Sequence, residues 1–512
     1  MGEKIKKQLF TTISEGQNRL LGFGLLIGSM IAFLFCISQG LGSDIWYDEI
    51  FSVKFAQMSY GDIVTATARD VHPPFYYWYL KFVQDTLGLF FTDVHPFVLC
   101  KVASMIPFVL IYIYALTYVR KRFGIKTAGT FLFLVILMPQ ISNYIVEIRM
   151  YALALFFITA MFLHSIEIVY ENKTRDFVLF FVYGIITAYT QYYACIAVVG
   201  LYICLFVYFL VEKKTKGIRN LFISAGASVL CYLPWMSAFI SQVTAVNNNY
   251  WIQPLTFRSI FGCMKFVFLP VSYDSRNFLY ALLMIAIGGV TFIYYVWKHH
   301  SDRKNLYIVI TGIFVPVFIA FMGFVCSAVG RPIFVYRYLI PGLGAMWLVY
   351  SILISKQFSS RLSVLVLIPF LLAGYSNMQG YYAEEHKKIV EMEKTQMFLD
   401  AIPQDAVIVA NFNHVQAIAA AYLDNEILLY GEEPEVLIQE FYDNCGSVDY
   451  IEDSDELVSL IKEEDVYFFG SFNARDEILE KWKAAGISHT EDGSYLLERY
   501  WFNVYHCSVG NN

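Results

Sequence analysis

Charge is what this 512-residue sequence has least of: 16% of its residues are Asp, Glu, Lys or Arg, where soluble domains carry about 25%. Hydrophobic residues make up 57% and aromatics 18%, and the mean hydropathy is +0.51. So few polar side chains cannot cover a water-facing surface, which excludes a soluble enzyme, a disordered chain and a nucleic-acid binder. The nine cysteines are an odd number with no CxxC pair, and no spacing of His, Cys and carboxylates forms a metal-ligand array. A Gly-rich phosphate loop is also missing, so no nucleotide-sugar site is visible. There is no internal repeat, low-complexity tract or long flexible linker.

What is present is unevenly distributed. The net charge of −6 divides into +13 for residues 1–380 (29 Lys and Arg, 16 Asp and Glu) and −19 for residues 381–512 (8 against 27). An integral membrane part and an acidic water-soluble domain follow from that division. Eleven apolar runs are long enough to read as membrane spans: 20–40, 96–118, 127–145, 150–170, 177–191, 194–211, 220–241, 277–297, 306–326, 338–355 and 361–377. Lys4, Lys6 and Lys7 precede the first, but it is too long for a signal-peptide core and no clean cleavage site follows.

Short basic connections alternate with longer ones. The basic set holds Arg120-Lys121-Arg122, Lys173 and Arg175, Lys213-Lys214 with Lys216, Lys298 with Arg303 and Lys304, and Lys356 with Arg361. The positive-inside rule makes these loops and the N-terminus cytoplasmic. Segments 41–95 and 242–276 and the region around 326–337 then face the opposite side, and an odd span count puts the acidic domain there too. In that domain short apolar strands at 405–410, 426–430 and 465–470 alternate with helical patterns, including one over 414–423, which predicts a small α/β fold. Most cysteines lie in apolar spans as small hydrophobes. Cys445 and Cys507 both fall in the acidic domain, where a disulfide and two free thiols are both open readings.

Scarce charges in a membrane protein are informative. Seven of the sixteen acids before residue 381 lie between 44 and 93: Asp44, Asp48, Glu49, Asp62, Asp70, Asp85 and Asp93. Their loop reads Asp44-Ile-Trp-Tyr-Asp48-Glu49 and continues through His72-Pro73-Pro74 to Tyr77, Trp78 and Lys81. A solvated acidic loop is the plain reading. The surrounding aromatics instead suggest a packed, semi-buried loop, where reduced solvation favours a carboxylate as general base.

These residues resemble a known family: the membrane-embedded GT-C glycosyltransferases that use lipid-phosphate-linked sugars. Among them are the protein O-mannosyltransferases, the aminoarabinose transferases of lipid A and the Rgt-like bacterial transferases. The resemblance rests on Asp48-Glu49 after the first span, His72-Pro73-Pro74 with Tyr77, Trp78 and Lys81, Arg149-Met-Tyr151, and Arg331 with Arg337-Tyr338. It covers about 375 residues of topology. It implies an α-helical polytopic protein of GT-C type, with about eleven transmembrane helices in residues 1–379, a catalytic loop at 41–95, and an extracytoplasmic α/β domain at 380–512.

The resemblance also implies roles. Asp48 is the general base toward an acceptor hydroxyl that attacks the anomeric carbon with inversion. Glu49 orients the acceptor or a divalent metal, or pairs with a nearby Arg. The leaving polyprenyl phosphate needs cationic stabilisation, for which Arg149, Arg337, Lys81 and His72 are the candidates, with Tyr151 and Tyr338 as hydrogen-bond donors. Arg suits phosphate through its planar fork; interfacial snorkelling is the alternative for each cation. His72 stands where the aminoarabinose branch carries Lys, so a structural role beside the two prolines competes with phosphate contact. Tyr77, Trp78, Tyr192 and Arg331 are the cavity candidates. Loop 242–276, with Arg258, Lys265 and Arg276, reads as a lid or as a surface loop.

The expected partners are a polyprenyl-phosphate sugar donor, membrane lipid, and a protein, glycolipid or cell-wall polymer acceptor, with no nucleic acid. No cofactor is identified, and a divalent metal is left open. The expected location is the cytoplasmic membrane. A transporter or flippase of lipid-linked saccharides is the alternative, but it does not explain acids gathered in one loop; a non-catalytic assembly protein is the third, in which Asp48 would be dispensable and loss of the acidic tail fatal.

Overall fold

The computed structural model describes residues 2–245, 254–270, 274–330, 332–431 and 448–509, with side chains from residue 14 onward except at 245. The chain divides into two compact units. One comprises 1–38, 67–79 and 101–381; the other comprises 39–66, 80–100 and 382–512.

The first unit is helical. Among the described residues nine helices are long and apolar enough to cross a membrane: Ser14–Gly40, Pro96–Phe123, Tyr151–Glu171, Tyr192–Val211, Thr215–Thr244, Ser275–Lys298, Arg303–Val329, Tyr336–Gln357 and Ser360–Leu399. The chain is thus a polytopic membrane protein. The other two apolar runs form shorter helices, Ile125–Leu137 and Thr174–Ala188. At 1.5 Å per residue these rise only about 20 Å, against a hydrocarbon core of about 30 Å. The first is cut short because Met138 precedes Pro139 and takes an extended backbone (ψ 144°), as pre-proline residues do.

Tyr151–Glu171 is apolar all round and buried along nearly its whole length, the mark of a central helix. By contrast, Thr215–Tyr232 turns Phe222, Ile223 and Leu230 outward, each more than 60% exposed. Apolar side chains in such a position suit lipid rather than water. Ser14–Gly40 and Ile125–Leu137 approach so closely that a Cβ at Gly22 would meet the Ile125 carbonyl, and one at Gly129 would meet the Gly22 carbonyl. Only glycine fits at these two positions.

Ser360–Leu399 is one unbroken helix of 40 residues. The apolar run at 361–377 thus continues without interruption into the charged residues that follow it, despite Pro369 within the helix.

The second unit contains a six-stranded sheet: β1 (Val407–Ala410), β2 (Ile427–Tyr430), β3 (Val448–Ile451), β4 (Val466–Gly470), β5 (Ile487–Leu497) and β6 (Tyr500–Val509), in the order β3-β2-β1-β4-β6-β5. The first four are mutually parallel and β6 and β5 antiparallel. All four residues of β1 are buried, as expected for an interior parallel strand. Trp482 meets Phe468 at 4.6 Å, within a core that includes Leu457, Ile487 and Tyr505. The β5–β6 hairpin turns at Glu498 and Arg499, with Glu498 at φ +56°, and was not legible as strands in the sequence. Cys507 is buried in β6, and Cys445 lies outside the described residues.

Candidate functional site

Asp48 opens the helix Tyr47–Gln57, in its first turn. There the backbone N–H groups and the helix dipole favour a carboxylate. Its neighbour Glu49 turns back, and its Oε2 accepts the Trp46 backbone N–H at 2.9 Å. That closes half of a capping box. Glu49 is 5% exposed, whereas Asp48 is only half-buried. The two adjacent acids therefore have different surroundings.

The segment carrying Asp48 is held by residues more than 360 positions away, in the same compact unit. Asp44, 7% exposed, accepts hydrogen bonds from the Tyr422 hydroxyl, from the Glu498 backbone N–H at 2.7 Å and from the Ile45 N–H at 2.9 Å. Burial raises the Asp44 pKa against the pull of these donors. The Tyr47 ring stacks on His414 at 4.1 Å and 8°, and Phe412 also stacks on that imidazole, at 4.7 Å. His414 Nδ1 lies 2.8 Å from the Tyr500 hydroxyl. Burial lowers the His414 pKa to about 4, against the opposing charge of Asp48, so the imidazole is neutral at pH 7.

His414 and Tyr422 lie at the two ends of one helix, Asn413–Tyr422. This helix thus grips the 44–48 segment at both ends. The Arg499 guanidinium lies over the Trp46 ring at 5.3 Å, and Glu498 binds it in turn at 2.5 and 3.0 Å. Lys81, also in this unit, pairs with Asp85 at 3.0 Å and lies 5.5 Å from the Tyr60 ring centre.

The first unit gathers four of the sequence candidates. Arg149 is 6% exposed, just before the helix that Tyr151 begins. The Arg337 guanidinium stands 5.8 Å from the Tyr151 ring. Tyr338 tilts toward Tyr151 at 6.4 Å and stacks on Tyr193 at 4.3 Å. Both arginines lie within electrostatic reach of the Tyr151 hydroxyl. Two cations and three phenols clustered in this way can bind an oxyanion.

A second group forms around the 189–193 turn. The Tyr192 hydroxyl donates to Gln242 Oε1 and accepts from Trp235 Nε1 at 3.0 Å, while Gln242 Nε2 donates to the Thr67 carbonyl at 2.6 Å. The Phe75 N–H binds the Tyr189 carbonyl at 3.0 Å. His72 pairs with Asp70 at 3.3 Å, and Asp70 acts electrostatically on Tyr192. Tyr77 is buried edge-on to Tyr76 at 5.6 Å, and Trp78 is half-buried. Arg331 lies outside the described residues, as does the 247–251 stretch of the long loop.

The helix Phe257–Phe268 lines a cavity of about 460 Å³, together with Gln140 and Tyr336. Arg258 and Lys265, seven residues apart, both face it, because two helical turns return a side chain to the same face. A Cβ at Gly262 would collide with the Tyr336 ring, so this glycine admits the tyrosine. Among the described residues no group of three or more His, Cys, Asp or Glu is arranged to hold a metal ion.

Sequence reading missed Tyr47, His414, Tyr422 and the buried role of Asp44. Local pattern carries no signal for a stacking pair separated by 367 positions. Glu498 and Arg499 were hidden because the hairpin they turn was not recognised.

Among solved structures, the chain is similar to ArnT from Cupriavidus metallidurans in the apo state, with a TM-score of 0.60 and 12% identity over 96% of this chain and 99% of that one. It is also similar to the same protein bound to undecaprenyl phosphate, with a TM-score of 0.57 and 11% identity over 95% and 98%. No protein-family model and no curated protein matches the sequence. At this identity the likeness is one of fold, and it runs the length of both chains. The GT-C resemblance read from the sequence is met at that level.

Proposed function

We propose that this chain is an integral-membrane glycosyltransferase that moves a sugar from a polyprenyl-phosphate-linked donor to an acceptor hydroxyl, with Asp48 as general base. The observation that carries the reading is the end-to-end fold match to ArnT, a protein solved with undecaprenyl phosphate bound. The cluster of Arg149, Arg337, Tyr151 and Tyr338 supports it chemically. In the proposed reaction the acceptor oxygen attacks the anomeric carbon as Asp48 takes its proton, which relieves the positive charge developing on that oxygen. The bond between the anomeric carbon and the phosphate oxygen breaks on the opposite side, so the configuration inverts. The electron pair leaves with the polyprenyl phosphate.

Cations near the phosphate stabilise that departing charge. Arg149 and Arg337 are assigned this role, with the Arg258 and Lys265 cavity as a further anion-friendly surface. Glu49 is assigned to hold the helix start that presents Asp48. Lys81 and His72, each paired with a carboxylate, are assigned supporting roles at the same donor. Tyr77, Trp78, Tyr192 and Arg331 remain the proposed cavity lining. By the charge of its short loops the protein belongs in the cytoplasmic membrane, with the N-terminus inside and the acidic unit outside. The acceptor is a protein, glycolipid or cell-wall polymer.

The test is Asp48→Asn in purified protein supplied with a polyprenyl-phosphoryl sugar. Turnover should fall by about 10²–10⁴-fold, the range general-base catalysis contributes, with donor binding retained. Full activity in that variant would remove Asp48 as the base.

A further inference from the structure

Six Asn or Gln side chains are buried among the described residues: Gln191, Gln242, Asn277, Asn377, Gln416 and Asn425. Five of them donate to a protein oxygen. Gln242 donates to Thr67, Asn277 to Ser376, Asn377 to Ser142, Gln416 to the Ile427 and Asp449 carbonyls, and Asn425 to the Pro403 and Ala406 carbonyls. Gln191 is the exception. It is 2% exposed, and neither Nε2 nor Oε1 has a protein partner. Its backbone is committed, with the N–H on the Thr187 carbonyl at 3.2 Å and the carbonyl on the Cys195 N–H at 3.0 Å. The uncommitted part is the side-chain amide alone.

The two residues that follow Gln191 are both held by side-chain contacts. Tyr192 is held through its hydroxyl by Gln242 and Trp235, and Tyr193 is stacked on Tyr338. Gln191 thus directly precedes, in the chain, one residue that joins the group around Gln242 and one that stacks in the cluster of Tyr151 and Tyr338. A buried amide left unsatisfied costs stability, yet the fold keeps this one. An amide presents a donor and an acceptor side by side, which matches two neighbouring hydroxyls of a sugar ring. A phosphate, which only accepts, would satisfy half of it.

We infer that Gln191 binds ring hydroxyls of the donor's sugar and so distinguishes the sugar-bearing lipid from the bare lipid phosphate. This rests on the donor class proposed above and deepens it. It also predicts an unusual stability effect. Gln191→Met keeps the length of the side chain and removes the unsatisfied polar atoms, so the ligand-free protein should become more stable.

The experiment compares wild type, Gln191→Met and Gln191→Asn in detergent. The probes are undecaprenyl phosphate and undecaprenyl-phosphoryl glucose, mannose, N-acetylglucosamine and aminoarabinose. Wild type should bind at least one sugar-bearing lipid about tenfold or more tightly than the bare lipid, the scale of one net hydrogen bond. Gln191→Met should bring that preference close to one, leave bare-lipid affinity within about twofold, and raise the ligand-free Tm. Gln191→Asn, with the amide drawn back, should fall between.

An unchanged preference in Gln191→Met, or a lowered Tm in that variant, overturns the inference while the donor class stands. Wild type that binds bare lipid and prefers no sugar-bearing lipid also overturns the inference alone. Wild type that binds none of the lipids overturns the donor class and this inference together.

Discussion

The segment around Asp48 and the cluster around Arg337 both place a charged group beside stacked aromatic rings, but they hold it differently. Asp48 is half-buried, and what is tightly bound is its surroundings: Asp44 four residues earlier, Tyr47 beside it and Glu49 after it. Arg337 is half-buried too, but there a ring meets the charge directly: the guanidinium stands 5.8 Å from the Tyr151 ring, near which Tyr338 stacks on Tyr193. On the proposed reading Asp48 needs access to the acceptor whose proton it takes, and the rigidity lies in its neighbours instead. On the same reading a guanidinium that meets the leaving phosphate gains from reduced solvation, and the Tyr151 ring covers one side of Arg337. The comparison teaches that aromatic rings can act on a charged group through its neighbours, as around Asp48, or by contact with the group itself, as at Arg337.

If that contrast is right, variants in the two regions should fail differently. The largest effect is the loss of turnover in Asp48→Asn, visible in single-turnover kinetics with donor binding unchanged. Next is Arg337→Ala, which should weaken donor KM by about 10–100-fold, the scale of one charge-assisted hydrogen bond pair. Equal loss in kcat with an unaltered donor KM would break the assignment of Arg337 to donor binding.

Asp44→Ala should lower stability by about 2–3 kcal/mol in denaturant unfolding, because the Tyr422 hydroxyl and the Glu498 N–H lose a buried acceptor. Tyr422→Phe keeps the ring and removes one donor, so it should cost about 1 kcal/mol and reduce kcat more than donor KM. A Tyr422→Phe enzyme with altered KM and normal kcat would show that the grip on residues 44–48 does not set the base.

The last effect is a pH dependence, which acts on stability alone. His414 is held neutral with its pKa lowered to about 4 from 6.5. The folded state therefore binds fewer protons than the unfolded state between these values. Its contribution to stability is complete above about 6.5 and is lost as pH falls toward 4. His414→Phe should flatten that part of the stability curve while keeping the stack on Tyr47, as measured by thermal unfolding at pH 7, 5.5 and 4.5. An equally steep acid loss in the variant would place the titrating group elsewhere.

Much of the fold was legible because it depends on composition and short-range pattern. Nine of the eleven apolar runs became helices long enough to span, and the other two fell short where Pro139 and the 189–191 turn ended them. The strands at 407–410, 427–430 and 466–470 came from runs of apolar residues bounded by turns. The antiparallel β5–β6 pair escaped because its register joins residues with mixed polarity, such as Thr490 with His506 and Ser494 with Asn503. Candidate residues at Asp48, Arg149 and Arg337 stood out because a charge beside an apolar span is rare.

The sequence alone determined the two solvents of this protein: scarce charge and long apolar runs require a membrane, and the −19 of its last 132 residues requires water. Tertiary structure decided which acid is buried and which stays accessible, and it assigned the grip on Asp48 to a helix almost 370 residues downstream. It also left Gln191 buried with an unsatisfied amide. Hydropathy is a property each residue carries by itself, so it can be read along the chain. Stacking and hydrogen-bond satisfaction belong to pairs, and those pairs exist only once the chain has folded.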